Sequence, residues 1–477
     1  MPPAPSVLPF AAVTHAPPPV LPVPDADAQL DRAIGVWGAT LFVIGAVIGS
    51  GIFLTTGIML QELPSTSLVL AAWTAGGLLA MAGGLTYAEM GSMYPRSGGL
   101  YVFLSEAYGP VWGFLFGWAC LLVILTGSVA TVAIGFAEYF SYFFPALGTD
   151  RLVLAVPMPW GAWTISAGQL VAAASVVVIT AINYVGVRSG NLTNSIVTAA
   201  KIGGLAAIPI LALVYRRVDP VLVPIVPPES ARPLASFGVI MIAVMWTYEG
   251  WYYVAFAAGE IRNAARTVPR ALIMGTLALT AIYVSVNLAY VLALSVEEMS
   301  GVTRIAEKAV TTLVGPVGAA LVAGSVVVST FGCNVAGVIA SSRVCFAMAA
   351  DRRFFPSAAR VHPVHRTPHV ALVVTGAWSV FLTLTGGYET LFTYVTFASV
   401  LFGTFGGAAI FVLRARRPEV PRPYRALGYP VIPALYVLGS FALTWNTLME
   451  RPAASLAGLG LVALGLPFYA YWSRGGR

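Results

Sequence analysis

Long apolar runs, separated by short charged clusters, constrain this chain before anything else does. Hydrophobic residues make up 58% of its 477 residues and charged ones 9%, with a mean hydropathy of +0.83. The runs reach the roughly 20 residues that a helix needs to cross about 30 Å of hydrocarbon. In that medium each unpaired backbone amide costs several kcal/mol, so a run bonds its own backbone as a helix. A transmembrane barrel would need segments of about 10 residues alternating in polarity, a pattern missing here. An all-α integral membrane protein is expected, with twelve spans at 33–59, 67–91, 110–141, 162–185, 192–215, 235–258, 269–294, 316–350, 369–386, 389–413, 429–447 and 453–472. An even number puts both termini on one face.

Residues 1–28 are rich in proline, carry no lysine or arginine and show no cleavage site after an apolar core, so they read as a disordered tail and not as a signal peptide. The spans group into 29–215, 234–414 and 426–472, with a proline-bearing loop around Pro220 to Pro233 between the first two groups. Most basic residues fall on the face of the termini, among them Arg262, Arg266, Arg270, Arg352, Arg353, Arg414, Arg416 and Arg417. The other face holds Arg151, Arg216, Arg217, Arg232, Arg304, Lys308 and Arg451, and the pair Arg216–Arg217 runs against the trend. By the positive-inside rule the termini are cytoplasmic and the protein sits in the cell membrane. The net charge of +7 is thereby explained as a topology signal, and no nucleic-acid partner is called for.

Three places break the apolar pattern. Gly49-Ser50-Gly51 sits in the middle of the first span, where each glycine costs about 0.8–1.0 kcal/mol of helix stability relative to alanine. An opened turn there aims free N–H groups at an anion such as a carboxylate; the alternative is that Gly45 and Gly49 let two helices pack closely. Lys201, one of two lysines in the chain, lies well inside the fifth span. Burying it costs about 2.5–3.5 kcal/mol on insertion scales, which points to an ion site or a proton carrier rather than a snorkelling side chain. In the sixth span Trp246-Thr247-Tyr248-Glu249-Gly250-Trp251 places an acid and a glycine at the depth of the first break. Glycine-interrupted spans at corresponding positions of two halves are the mark of an inverted-repeat transporter with its site at the midplane.

These residues resemble the amino acid, polyamine and organocation transporters, in particular the L-type amino acid transporter branch and its bacterial relatives. The resemblance is carried by Gly49-Ser50-Gly51-Ile52-Phe53, by Tyr94-Pro95-Arg96-Ser97-Gly98-Gly99-Leu100-Tyr101 with Glu106 and Gly109, and by Tyr248-Glu249-Gly250-Trp251 with Glu260-Ile261-Arg262-Asn263 and Val268-Pro269-Arg270-Ala271. Phe331-Gly332, Ala340-Ser341-Ser342-Arg343 and the stretch from Val361-His362-Pro363 to Thr367-Pro368-His369 complete it. It implies the leucine-transporter fold, five plus five inverted spans with two more at the C-terminus. It further implies a substrate carboxylate on the amides of Gly49, Ser50 and Gly51 and an ammonium near the carbonyls of Val47, Ile48, Trp246 and Thr247. Lys201 resembles the lysine that replaces a sodium ion in sodium-independent members, with Ser329 or Thr330 as its neighbour in the eighth span. Glu249 stands where the family often has Asp or Gly, and Cys333 where it commonly has a small residue such as Ser. Glu249 and Gly250 are expected at the substrate; a longer acid could recognise a cationic side chain, carry a proton or answer Lys201 electrostatically. In the third span Thr126 and Ser128 either line the side-chain pocket or pack.

The expectation is a sodium-independent amino acid exchanger or proton symporter, working by alternating access on neutral substrates first and cationic amino acids or polyamines second. A channel would need a continuous polar lining that the spans lack; a non-transporting amino acid sensor could keep the same site. No nucleophile–base constellation or nucleotide loop supports an enzyme, and no cofactor is implied. His362, His365 and His369 are separated by Pro363 and Pro368 and lack a cysteine, so no metal is expected there. Cys120, Cys333 and Cys345 show no paired spacing, and neither a disulfide framework nor an obligate partner subunit is expected.

Overall fold

The computed structural model describes residues 32–158, 161–228 and 232–475; the tail expected over 1–28 lies outside them. Among the described residues nine helices are long and apolar enough to cross a membrane, and three shorter apolar helices cover Lys201–Val214, Pro233–Tyr248 and His369–Thr385. This is a multi-pass helical membrane protein.

The first span is two helices, α1 (Val36–Val47) and α2 (Gly51–Glu62), followed by α3 (Thr66–Met93), α4 (Leu100–Tyr108) and α5 (Pro110–Ala119). A π-helical turn over Cys120–Ile124 carries α5 into α6 (Leu125–Phe140). An antiparallel hairpin of β1 (Leu152–Met158) and β2 (Gly161–Ser166) precedes α7 (Ala167–Val185) and α8 (Val187–Val214). The second half runs through α9 (Pro233–Tyr248), α10 (Tyr253–Phe256), α11 (Ala264–Ala293), α12 (Val296–Met299), α13 (Ile305–Val314), α14 (Pro316–Ala350), α15 (His369–Thr385) and α16 (Tyr388–Arg416). The last helices are α17 (Val431–Glu450), α18 (Pro452–Ala463) and α19 (Gly465–Gly475).

Local chemistry explains several of these boundaries. Ser65 accepts an N–H bond from Leu68 at 3.2 Å and so caps α3. Ser166 and Gln169 form a reciprocal capping box, at 3.2 and 2.8 Å, that starts α7 at Ala167. That box corrects the expected fourth span. Residues 162–166 are not membrane helix but strand, pairing Val156 with Trp163 and Leu154 with Ile165, because the cap satisfies the amides that a longer helix would have used. Pro110 and Pro316 each occupy a first helical position, where their missing N–H costs nothing.

The spans are nested. The most apolar window of the first span and that of Pro110–Phe140 are each 89% buried by protein, against 22% for Val431–Glu450 and 17% for Ser455–Ser473. The first and third spans are therefore central and the last two peripheral. Around them α3 packs on α11, α6 on α14 and α7 on α15, while α1 lies against α8, α11 and α14.

Both described ends lie on one face. Ile34 pairs with Ile261 in a short parallel bridge, and Trp472 packs against Phe354 and Phe355 just beyond α14. The same face is stitched by Glu89, whose fully buried carboxylate accepts from Arg414 at 3.0 and 2.6 Å and from the Ala426 amide at 2.6 Å, with Arg422 at 3.3 Å.

Candidate functional site

In the first span the helix stops at Val47 and restarts at Gly51. Gly49 donates to the Val47 carbonyl at 2.7 Å, and the amides of Ser50 and Gly51 face no backbone carbonyl among the described residues. These two N–H groups sit at the positive end of α2. Glycine is required here by close approach: a β-carbon on Gly51 would overlap Thr247 of α9, and one on Gly49 would meet Cys333 Sγ at 3.0 Å.

The carbonyl end of α1 is occupied by donors from three other helices. Lys201 Nζ of α8, almost fully buried, donates to Gly45 O at 2.9 Å and Ile48 O at 3.0 Å. Ser329 Oγ of α14 donates to the same Ile48 oxygen at 3.0 Å. Thr330 instead turns back on its own helix, to Val326 O at 2.8 Å, so the geometry brings Ser329 to Lys201 and not Thr330. Val47 O accepts from Tyr283 at 3.0 Å, and Ala46 O from the Cys333 thiol at 2.9 Å. Lys201 thus places a buried positive charge on converging carbonyls.

The sixth span breaks after Tyr248. Glu249 leaves the helix in an extended conformation, and Gly250 takes a φ of +105°, where a β-carbon would lie 3.1 Å from Ala46 O. A side chain at that φ would be strained and would press on the broken end of α1. Glu249 accepts from the hydroxyls of Tyr252 and of Ser399 in α16, the latter at 3.2 Å. It makes no ion pair with Lys201, contrary to the electrostatic answer weighed from the sequence. The two charges are held separately, one by carbonyls and one by hydroxyls.

The two breaks face a common cavity lined by Val47, Gly49, Ser50, Gly51, Ser128, Trp246, Thr247, Glu249 and Cys333, with Ala46, Val129, Val132, Tyr253, Asn334 and Gly337 completing it. Ile48, Gly250, Lys201 and Ser329 lie behind this lining. The cavity measures about 30 Å³, space on the order of one or two waters. Ser128 accepts from Tyr253 at 3.4 Å, whereas Thr126 bonds Leu121 O of the π-helical turn at 2.7 Å and is spent on its own span.

The histidines lie far from this centre. His362, His365 and His369 gather around Tyr184, and His362 Nδ1 accepts the amides of Val364 and His365 at 3.2 and 3.1 Å, a turn-capping role.

Sequence reasoning passed over Tyr388, Tyr253, Ser399 and Asn334. Tyr388 opens α16 directly after Gly386-Gly387, and its hydroxyl meets Ser50 Oγ at 3.0 Å and the Trp246 indole N–H at 3.1 Å. The signal was a polar aromatic in the first turn of an apolar span. Only the fold reveals its partner 338 residues away.

A family model described as amino acid permease matches residues 34–458. The chain is 31% identical over 453 residues to the serine/threonine exchanger SteT of Bacillus subtilis, covering 93% of this chain and 97% of that one. It is 30% identical over 455 residues to the large neutral amino acids transporter small subunit 2 of Mus musculus, covering 93% and 82%. To the b(0,+)-type amino acid transporter 1 of the same species it is 28% identical, covering 89% and 84%.

Proposed function

The chain belongs to the amino acid permease family, and from that premise we propose that it is a secondary transporter of neutral amino acids that works by alternating access without sodium. The observation that carries this is the pair of helix breaks facing one cavity, with Lys201 seated on the carbonyl end of one of them. A zwitterion presents opposite charges a few ångströms apart, and two opened helices present donors and acceptors at that scale. We assign the carboxylate to the amides of Ser50 and Gly51, since that of Gly49, the third amide expected there, already donates to Val47 O. The ammonium goes to the carbonyls of Trp246 and Thr247, because two donors already fill each of the Val47 and Ile48 oxygens. Cys333, Ser128 and Glu249 are left to face the side chain.

The reading extends to twelve spans in the leucine-transporter arrangement, counting the three shorter apolar helices with the nine long ones. Packing supports an inverted repeat: α3 pairs with α11, α6 with α14 and α7 with α15, each helix against its counterpart five spans on. The basic face of the termini is taken as cytoplasmic. All three cysteines are buried, which supports a chain that works without a disulfide-linked partner, although the mouse relative is by name a small subunit.

Counterflow in proteoliposomes tests the proposal. Labelled serine, threonine or leucine should enter saturably and faster against a trans load of unlabelled substrate. Ligand-induced thermal stabilisation without flux would replace the carrier with a sensor. Because Glu249 lines the cavity, arginine and putrescine belong in the competition series, and inhibition by them alone would move the substrate class to cations.

A further inference from the structure

We propose that Tyr388 is the latch that closes the substrate site towards the face carrying the β1–β2 hairpin, a role that rests on the transport reading above. On its hairpin side lies a vestibule of about 450 Å³, whose lining includes Leu54, Ile134, Glu138, Trp163, Gln169 and Tyr388 itself. On its inner side lies the substrate cavity, which Ser50 and Trp246 line. Tyr388 thus lines one space and is bonded to two residues that line the other. Its ring packs edge-on against Phe392 and Trp246, at 5.7 and 6.4 Å between centroids.

Three moving parts meet at its hydroxyl. Ser50 belongs to the break in the first span, Trp246 to the end of α9 in the sixth, and Tyr388 itself to the start of α16. One phenol oxygen therefore ties together the two spans that bear the site and a third that does not. The mount of the latch is fixed from the hairpin side. Trp163 of β2 donates to Leu384 O at 3.0 Å, and Gln169 of α7 donates to Thr383 O at 3.1 Å and Gly386 O at 3.4 Å. Opening towards the vestibule then requires Ser50 and Trp246 to leave Tyr388, while the loop carrying it stays with the hairpin and α7.

Cys333 gives a direct readout, since its thiol lies in the substrate cavity and the other two cysteines can be removed. In a Cys120→Ala, Cys345→Ala background, a membrane-impermeant cationic methanethiosulfonate is applied to reconstituted protein of known orientation. Tyr388→Phe keeps the ring and deletes both hydrogen bonds. Modification of Cys333 from the hairpin face should then be about tenfold faster, while the rate from the terminus face falls, because opening of one side and closure of the other are linked. Ser50→Ala, which removes one of the two bonds, should give a smaller acceleration on the same face. An unchanged rate from the hairpin face in Tyr388→Phe overturns the latch, and so does an equal acceleration from both faces, which would mean general loosening. The labelling needs no turnover, so an absence of counterflow would remove the transport reading while the latch is still judged by its own measurement.

Discussion

Lys201 is the buried cation that the proposed site places on the broken end of α1. Its ammonium is buried among the carbonyls of Gly45 and Ile48. Lys201→Ala should strip the lysine's bond from Gly45 O, leave Ile48 O to Ser329 alone and loosen the broken end of α1. We expect uptake to fall at least tenfold while the protein still elutes as a folded monodisperse species; wild-type uptake by well-expressed Lys201→Ala would remove the role. Gly49 gives a second test through its neighbour. Added as Gly49→Ala, a methyl would sit 3.0 Å from Cys333 Sγ, so uptake should drop severalfold, and the double variant Gly49→Ala, Cys333→Ala should recover much of it. No recovery would mean that Val132, at 3.4 Å, or the turn itself is the obstacle. Both residues were legible in the sequence because a lysine and paired glycines are expensive inside a span. Tyr388 was not, because a tyrosine near the end of a span is an ordinary interfacial residue until its partners are known.

At the scale of elements, the apolar runs foretold most helices to within a few residues, and what they missed lies where water, not lipid, is the solvent. The hairpin over 152–166 and the amphipathic α13 are set by alternation, capping and local ion pairs such as Arg304–Glu307 at 2.8 Å, signals that a search for apolar runs does not see. The same holds for the joint between α3 and α16. From sequence alone Glu89 is one acid near the end of a span; in the fold it is fully buried and accepts from Arg414 and the Ala426 amide, with Arg422 beside it. Glu89→Gln would keep its volume and strip the charge that holds the two arginines. Breaking a buried pair costs about 3–5 kcal/mol, and with Arg414 about a quarter exposed we expect the lower end of that range. A clear fall in apparent unfolding temperature in detergent would bear this out, with substrate affinity of the surviving fraction unchanged because the joint lies away from the cavity. A loss of affinity at unchanged stability would show instead that Glu89 couples to the site.

For the molecule as a whole, a carrier must be able to close each face in turn, and the two closures here differ in kind. Towards the hairpin face the barrier is thin, two hydrogen bonds to one phenol. Towards the terminus face it is thick. Ile34 is bridged to Ile261, and Glu260 and Arg343 form a buried ion pair at 2% and 1% side-chain exposure, joining the segment after the sixth span to α14. Neither partner is saturated, since Glu260 Oε2 and Arg343 Nη2 lack hydrogen-bond partners among the described residues. A buried pair with spare capacity is costly to keep and strongly destabilising to half-remove. Glu260→Gln would leave the Arg343 charge uncompensated at the centre of that closure. The state open to the terminus face, where water can reach Arg343, should gain population. Modification of Cys333 by the impermeant reagent from that face should then accelerate severalfold, while the rate from the hairpin face falls, because closure of one side and opening of the other are linked. Arg343→Gln should act in the same direction, and Glu260→Gln combined with Arg343→Gln more weakly than either, since the double variant leaves no charge to solvate. Equal acceleration from both faces would assign the pair to folding alone.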